Sequence, residues 1–185
     1  MAILPIYTYG TKVLRKKARP VKHVSDEILS LIVNMFETMR NANGVGLAAT
    51  QVGQLHRVVT IDISDAEDEK EFKPLVLINP EIVTEKGALN MEEGCLSIPD
   101  VRDAVERPES ITIRFQDANF VQNELKASGL LGRVLQHEID HLNGVLFTDR
   151  LTTEQQETHT DALKKIQRGD MNVDYPVISS DSMPT

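Results

Sequence analysis

The stretch Gln136-His137-Glu138-Ile139-Asp140-His141-Leu142 constrains this chain more than any other part of it. At about 100° per residue in a helix, His137 and His141 fall one turn apart and only about 40° from each other around the axis. Side chains so spaced lie roughly 5–6 Å apart, so two imidazoles can converge on one divalent cation. Glu138 is in neither ligand position. It flanks the open face of such an ion, where a carboxylate can take a proton from bound water and hand it to a leaving group.

A helical wheel from Leu130 to Asn143 puts Leu130, Leu131, Val134, Leu135, Glu138, Ile139 and Leu142 on one half-circle. Gly132, Arg133, Gln136, Asp140 and Asn143 fill most of the other, and the histidines sit on the seam beside Leu130 and Val134. The pattern suits a buried helix with a metal at the edge of its apolar face. An ordinary amphipathic helix with two incidental histidines also suits it, but must then explain an ionisable Glu138 among apolar neighbours.

Two histidines do not complete a catalytic site, which usually takes three protein ligands and keeps one position for water. In the extended pattern HExxHxxGxxH the third histidine falls six residues after the second; here Gly144 is present, but Phe147 stands at that position. A downstream glutamate is the other common arrangement, which leaves Glu154 and Glu157 open. Cys95 is the stronger candidate. It lies between Gly94, which permits a close turn, and Pro99, and a thiolate binds soft or borderline metals well. As the sole cysteine it makes no internal disulfide and suits a reducing compartment, with a free thiol or a small buried residue as its other readings.

The rest of the chain reads as α+β. Residues 1–24 carry Pro5 and Pro20 and read as an extended arm. Ser25 caps a helix with an acidic first turn, whose core face is Ile28, Leu31, Ile32, Met35, Phe36 and Met39 and which ends near Gly44. The small residues of GVGLAATQ (44–51) read as a turn that lets something approach its backbone, and Gln51 there can donate an N–H to an anionic oxygen. Strands are expected at 57–63, 74–83, 101–106, 110–116 and 121–127, with the acidic run 64–71 as a solvated loop. Thr152 or Thr153 caps a last helix over 154–168. Helix, antiparallel strands, then the histidine helix point to strands packed around a central helix rather than to βαβ winding.

At 185 residues the chain suits one catalytic domain over 1–168 with a loosely ordered tail over 169–185. A net charge of −8 argues against broad nucleic-acid binding, and the basic run from Arg15 to Arg19 reads most simply as solvated surface. No segment approaches the roughly 20 apolar residues of a membrane span, and residues 1–5 lack signal-peptide character, so a cytoplasmic location away from membranes is expected.

Three separated motifs, GVGLAATQ at 44–51, EGCLS at 93–97 and QHEIDHLNG at 136–144, resemble the peptide deformylases in order and approximate spacing. The resemblance implies a divalent metal held by Cys95, His137 and His141, with Fe(II) expected and Zn, Ni or Co as substitutes. It implies hydrolytic removal of formate from the N-formylmethionine of nascent polypeptides by metal-activated water, with Glu138 as general base and then acid. Gln51 and the Leu96 backbone N–H would serve as oxyanion donors. An extended peptide would lie between the 44–46 segment and the strand leading into 91–94, approached closely at Gly46 and Gly94. Val45, Met91, Leu130 and Val134 match a methionine pocket, and Arg102 an arginine near the site mouth. Arg133 is left out because the wheel puts it on the polar side. Asp140 is open as a support for His137 or as a surface ion pair, and Glu93 as a solvated charge. Transient ribosome contact is a further implication of the resemblance.

Overall fold

The computed structural model describes residues 2–180. Its first long element is α1 (Asp26–Asn41), where the Ser25 hydroxyl accepts from the Ile28 N–H and Asp26 and Glu27 line the positive end of the helix. Strand β2 (Gly46–Ala48) follows, then a short 3-10 turn at Ala49–Val52, then β3 (Val58–Ile61) and β4 (Leu75–Lys86). With β7 (Ser110–Gln116) and β8 (Gln122–Ser128) these strands make one antiparallel sheet in the order β2-β3-β4-β7-β8. A separate antiparallel hairpin joins β5 (Leu89–Cys95) to β6 (Ile98–Arg107). Helices α2 (Gly129–Leu142) and α3 (Thr153–Gln167) complete the body.

Period-two alternation decides which helix each face of the sheet receives. In β3, Val59 and Ile61 pack with α2 residues Leu135 and Ile139, whereas Val58 packs with α1 residues Met35 and Met39. Leu77 and Ile78 of β4 divide in the same way. The hairpin and α3 close a third cluster, in which Ile98, Val101 and Val105 meet Leu163 and Ile166. Helix α2 therefore lies between the sheet and the hairpin, and its expected polar half is covered as well: Arg133, Gln136 and Asp140 are all buried.

Two expectations are corrected. GVGLAATQ is a strand and a 3-10 turn rather than a plain loop, because Gly46, Leu47 and Ala48 pair with Ile61, Thr60 and Val59. The tail is tied down over its described part: β1 (Ile6–Tyr7) and β9 (Val177–Ile178) pair in parallel, the Ile6 N–H donating to Pro176 O and the Thr8 N–H to Ile178 O, each at 2.9 Å. The arm supplies the partner strand that residues 177–178 lack on their own. Residues 181–185 lie outside the described part.

Candidate active site

Helix α2 and the end of β5 bring the three expected ligands together. The Cys95 sulfur and one nitrogen each from His137 and His141 all lie within 4.8 Å of one another. His141 Nε2 is 3.2 Å from both Cys95 Sγ and His137 Nε2. Tetrahedral coordination with ligand distances of about 2.1 Å has edges of about 3.4 Å, so the spacing suits a small divalent cation. Glu154 and Glu157, the alternative third ligands, are exposed on α3. Phe147, at the position where the extended pattern has a histidine, stacks on the His137 ring with centroids 6.2 Å apart.

Electrostatics gives a second test of fit. Burial lowers the pKa of the His137 ring, but its hydrogen bonds to Cys95 and Glu93 outweigh that and raise it well above the ordinary histidine value. Burial and the neighbouring His137 charge drive His141 well below that value. The nest thus favours one positive charge and rejects a second. A cation bound by three deprotonated donors meets the same demand.

Beside the nest, Glu138 is buried, and its Oε2 has no hydrogen-bond partner among the described residues. Burial pushes its carboxyl up to about 7; His137 pulls against that shift and Glu93 adds to it. An unpartnered buried oxygen needs a donor, and a water between the ligands and Glu138 would supply one. Gly46 makes room for this carboxylate: a Cβ there would sit 2.6 Å from Glu138 Oε1 and 2.8 Å from Val134 Cγ1. The missing side chain at Gly46 thus makes room for the protein's own Glu138 and Val134. At Gly94 the nearest neighbour to a Cβ would be the Arg102 guanidinium at 3.2 Å. Arg102 is itself exposed, 3.8 Å from Glu92.

Gln51 is buried with its amide orientation fixed. Oε1 accepts from the Ala48 N–H at 2.8 Å, and Nε2 donates to Ser97 Oγ at 3.2 Å while facing Cys95 Sγ at 3.6 Å. Leu96 and Ser97 form the two-residue turn of the hairpin, with Cys95 opposite Ile98. Val45, Gly46, Met91, Gly94, Leu130 and Val134 line one cavity of about 440 Å³ together with Gln51, Cys95, Leu96, His137 and Glu138. Of the residues expected in the site, His141 alone is not on that wall; it sits behind it, almost fully buried.

Sequence reasoning missed the ion-pair chain behind His137. Glu93 is no solvated charge: its Oε2 accepts the His137 Nδ1 proton at 2.9 Å, and both of its oxygens are held by Arg107, Oε1 at 2.5 Å and Oε2 at 2.9 Å. Arg107 also reaches Asp140 at 2.6 Å, and Asp140 is gripped in turn by Arg150 at 2.5 and 2.7 Å. Asp140 is thus a buried relay rather than a surface pair. Arg133, excluded by the wheel, lines the cavity and donates to Glu93 at 2.8 Å and to the carbonyls of Val105 and Leu89. The available signal was the inward register of Val101, Val105 and Arg107 on β6, which brings an arginine into the core where only a carboxylate can receive it. Burial alone would raise the Glu93 carboxyl, but its bonds with His137 and Arg107 hold it well below the usual carboxylate range. Since a carboxylate only accepts, Nδ1 carries a proton, which leaves Nε2 as the nitrogen that faces the nest and would bind a cation.

A family model described as Polypeptide deformylase matches residues 3–157. A peptide deformylase of Salinibacter ruber is 47% identical over 97% of this chain and 96% of its own length. One from Chlorobium phaeovibrioides is 47% identical over 95% of this chain and 92% of its own. Among solved structures, a peptide deformylase from Legionella pneumophila superposes with a TM-score of 0.83 at 41% identity, covering 90% of this chain and 96% of that one. The Synechococcus elongatus peptide deformylase in complex with actinonin superposes at 0.79 with 43% identity, covering 85% and 86%. No helix among the described residues is long and apolar enough to cross a membrane.

Proposed function

The chain belongs to the peptide deformylase family, hydrolases that remove the N-formyl group from newly made polypeptides, and from that premise we propose how its own residues do so. The carrying observation is the convergence of Cys95, His137 and His141 within 4.8 Å, with the Glu138 carboxylate beside them and its Oε2 unpartnered among the described residues. Cys95, His137 and His141 would hold a divalent cation, Fe(II) on this reading with Zn, Ni or Co as substitutes, which would supply Lewis acidity at the site.

Glu138 takes the proton from the attacking water and returns it to the departing amine nitrogen as formate leaves. A carboxyl shifted toward neutrality suits both halves of that transfer. Gln51 Nε2 and the Leu96 N–H receive the charge that develops on the formyl oxygen. Gln51 can do so without rearranging, because the Ala48 amide already fixes which end of its side chain faces Cys95.

Substrate positioning rests on two open strand edges. Among the described residues β2 ends the five-stranded sheet and β5 pairs only with β6, and residues of both line the same cavity. An extended peptide can add between them by main-chain hydrogen bonds, with the methionine side chain against Val45, Met91, Leu130 and Val134. A reducing compartment, the cytoplasm in a bacterium, and transient contact with the ribosome belong to the same reading.

Anaerobic assay of formate release from formyl-Met-Ala, against unformylated and acetylated controls, tests this mechanism. Glu138→Ala should abolish release while the metal stays bound. Activity surviving that substitution would remove Glu138 from its role.

A further inference from the structure

We propose that Tyr175 is a positioning residue for the reaction: its hydroxyl holds the Cys95–Ile98 turn in the conformation that aims the Leu96 N–H at the substrate. This rests on the reading of Leu96 as an oxyanion donor.

The turn is built from two residues that the hairpin ladder does not hold. A two-residue turn whose central peptide has no ladder partner can rock about its flanking bonds, and three contacts from outside the hairpin prevent this. The Tyr175 hydroxyl donates to Leu96 O at 2.9 Å, the Tyr9 N–H donates to Ser97 O at 2.8 Å, and Gln51 Nε2 donates to Ser97 Oγ. Among the described residues Tyr175 alone grips the Leu96 carbonyl, on the peptide next to the one that carries the Leu96 N–H.

Tyr175 is itself well placed to act as a fixed post. It is packed against the cluster that contains Met39 and Leu47, and it lines the catalytic cavity with Val173. The following residue, Pro176, accepts from the Ile6 N–H, so the ring leaves a registered strand rather than a loose tail. Tyr9, which grips the next carbonyl of the turn, comes from the continuation of β1, the strand paired with β9. The two chain ends, braced against each other, thus hold two successive carbonyls of the turn beside the Cys95 ligand. Burial and the neighbouring Cys95 and Asp100 push the Tyr175 phenol up to about 12, so it is a donor throughout the neutral range.

The test is Tyr175→Phe in the full, metal-loaded chain, which removes one oxygen and keeps the ring. Losing one neutral hydrogen bond should lower kcat on formyl-Met-Ala roughly 3–10-fold. KM, metal content and the thermal midpoint should stay near wild type, and hydrogen exchange at the Leu96 amide should quicken. Unchanged kcat with unchanged exchange would overturn the role of Tyr175 and leave the reading of Leu96 standing. Faster exchange with unchanged kcat would overturn the catalytic part of the proposal by removing Leu96 from the donors. A raised KM with unaltered kcat would make Tyr175 a wall of the pocket instead, and a fall in kcat that merely tracks lost metal or lost stability would make it structural.

Discussion

His137 Nδ1 donates to Glu93 Oε2 across 2.9 Å, and the same carboxylate is gripped on both oxygens by Arg107. The bond keeps a proton on Nδ1 and fixes the ring plane, so Nε2 is the nitrogen presented to a cation. Glu93→Gln keeps the shape but removes the charge that raises ligand basicity. Its affinity for the metal should fall about 10–100-fold, as read by competition with a chelator.

Gly46 should tolerate no side chain. Alanine there puts a methyl 2.6 Å from Glu138 Oε1 and 2.8 Å from Val134 Cγ1. Overpacking of this kind costs about 1–3 kcal/mol. Glu138 must swing away to relieve it, so Gly46→Ala should lower kcat far more than metal content. Metal analysis beside steady-state kinetics separates the two.

Arg107 sits between Glu93 and Asp140 with its side chain 1% exposed. Breaking a buried pair by deleting one partner costs about 3–5 kcal/mol because a charge is stranded. Arg133 continues to serve Glu93 and Arg150 continues to serve Asp140, so Arg107→Met should fall at the lower end, about 3 kcal/mol in urea unfolding.

The acid limb of stability should carry a contribution from Asp62. Burial raises its carboxyl, but the Ser64 hydroxyl and Arg40 outweigh burial and hold it below the ordinary aspartate value. A carboxyl with a folded pKa below its unfolded one stabilises fully above the unfolded value, and that stabilisation is lost as pH falls through the folded value. Arg40 is half exposed, so the amount is small, about 0–1 kcal/mol. Asp62→Asn should lower the urea midpoint slightly at neutrality, where the stabilisation is fully present, and flatten its further fall below about pH 4, so that variant and wild type converge in acid. Because the Asp62 N–H also donates to Val45 O, the cavity rim should keep its place in this variant.

Much of the site was legible because its chemistry is local. The spacing of His137 and His141 is a property of one helix, and β7 appears at 110–116 as its Ile111, Ile113 and Phe115 alternation requires. The illegible part depends on partners distant in the chain. Arg133 and Asp140 look polar on a wheel, yet the hairpin residues Glu93 and Arg107 cover them. Three residues, Gly46–Ala48, are too few to show a period, and β5 mixes Leu89, Asn90, Glu92 and Glu93, so neither announces a strand. Likewise, nothing in residues 177–178 reveals that Ile6 and Tyr7 are waiting beside them.

On the proposed binding mode, the edges of β2 and β5 that carry no further strand among the described residues bear on breadth of use. Amide groups repeat identically in every polypeptide, whatever the side chains between them. A catalyst that grips main chain on both flanks and reads only one side chain is therefore nearly blind to every residue after the first. On that binding mode, one active site would accept formylated chains whatever residues follow the first.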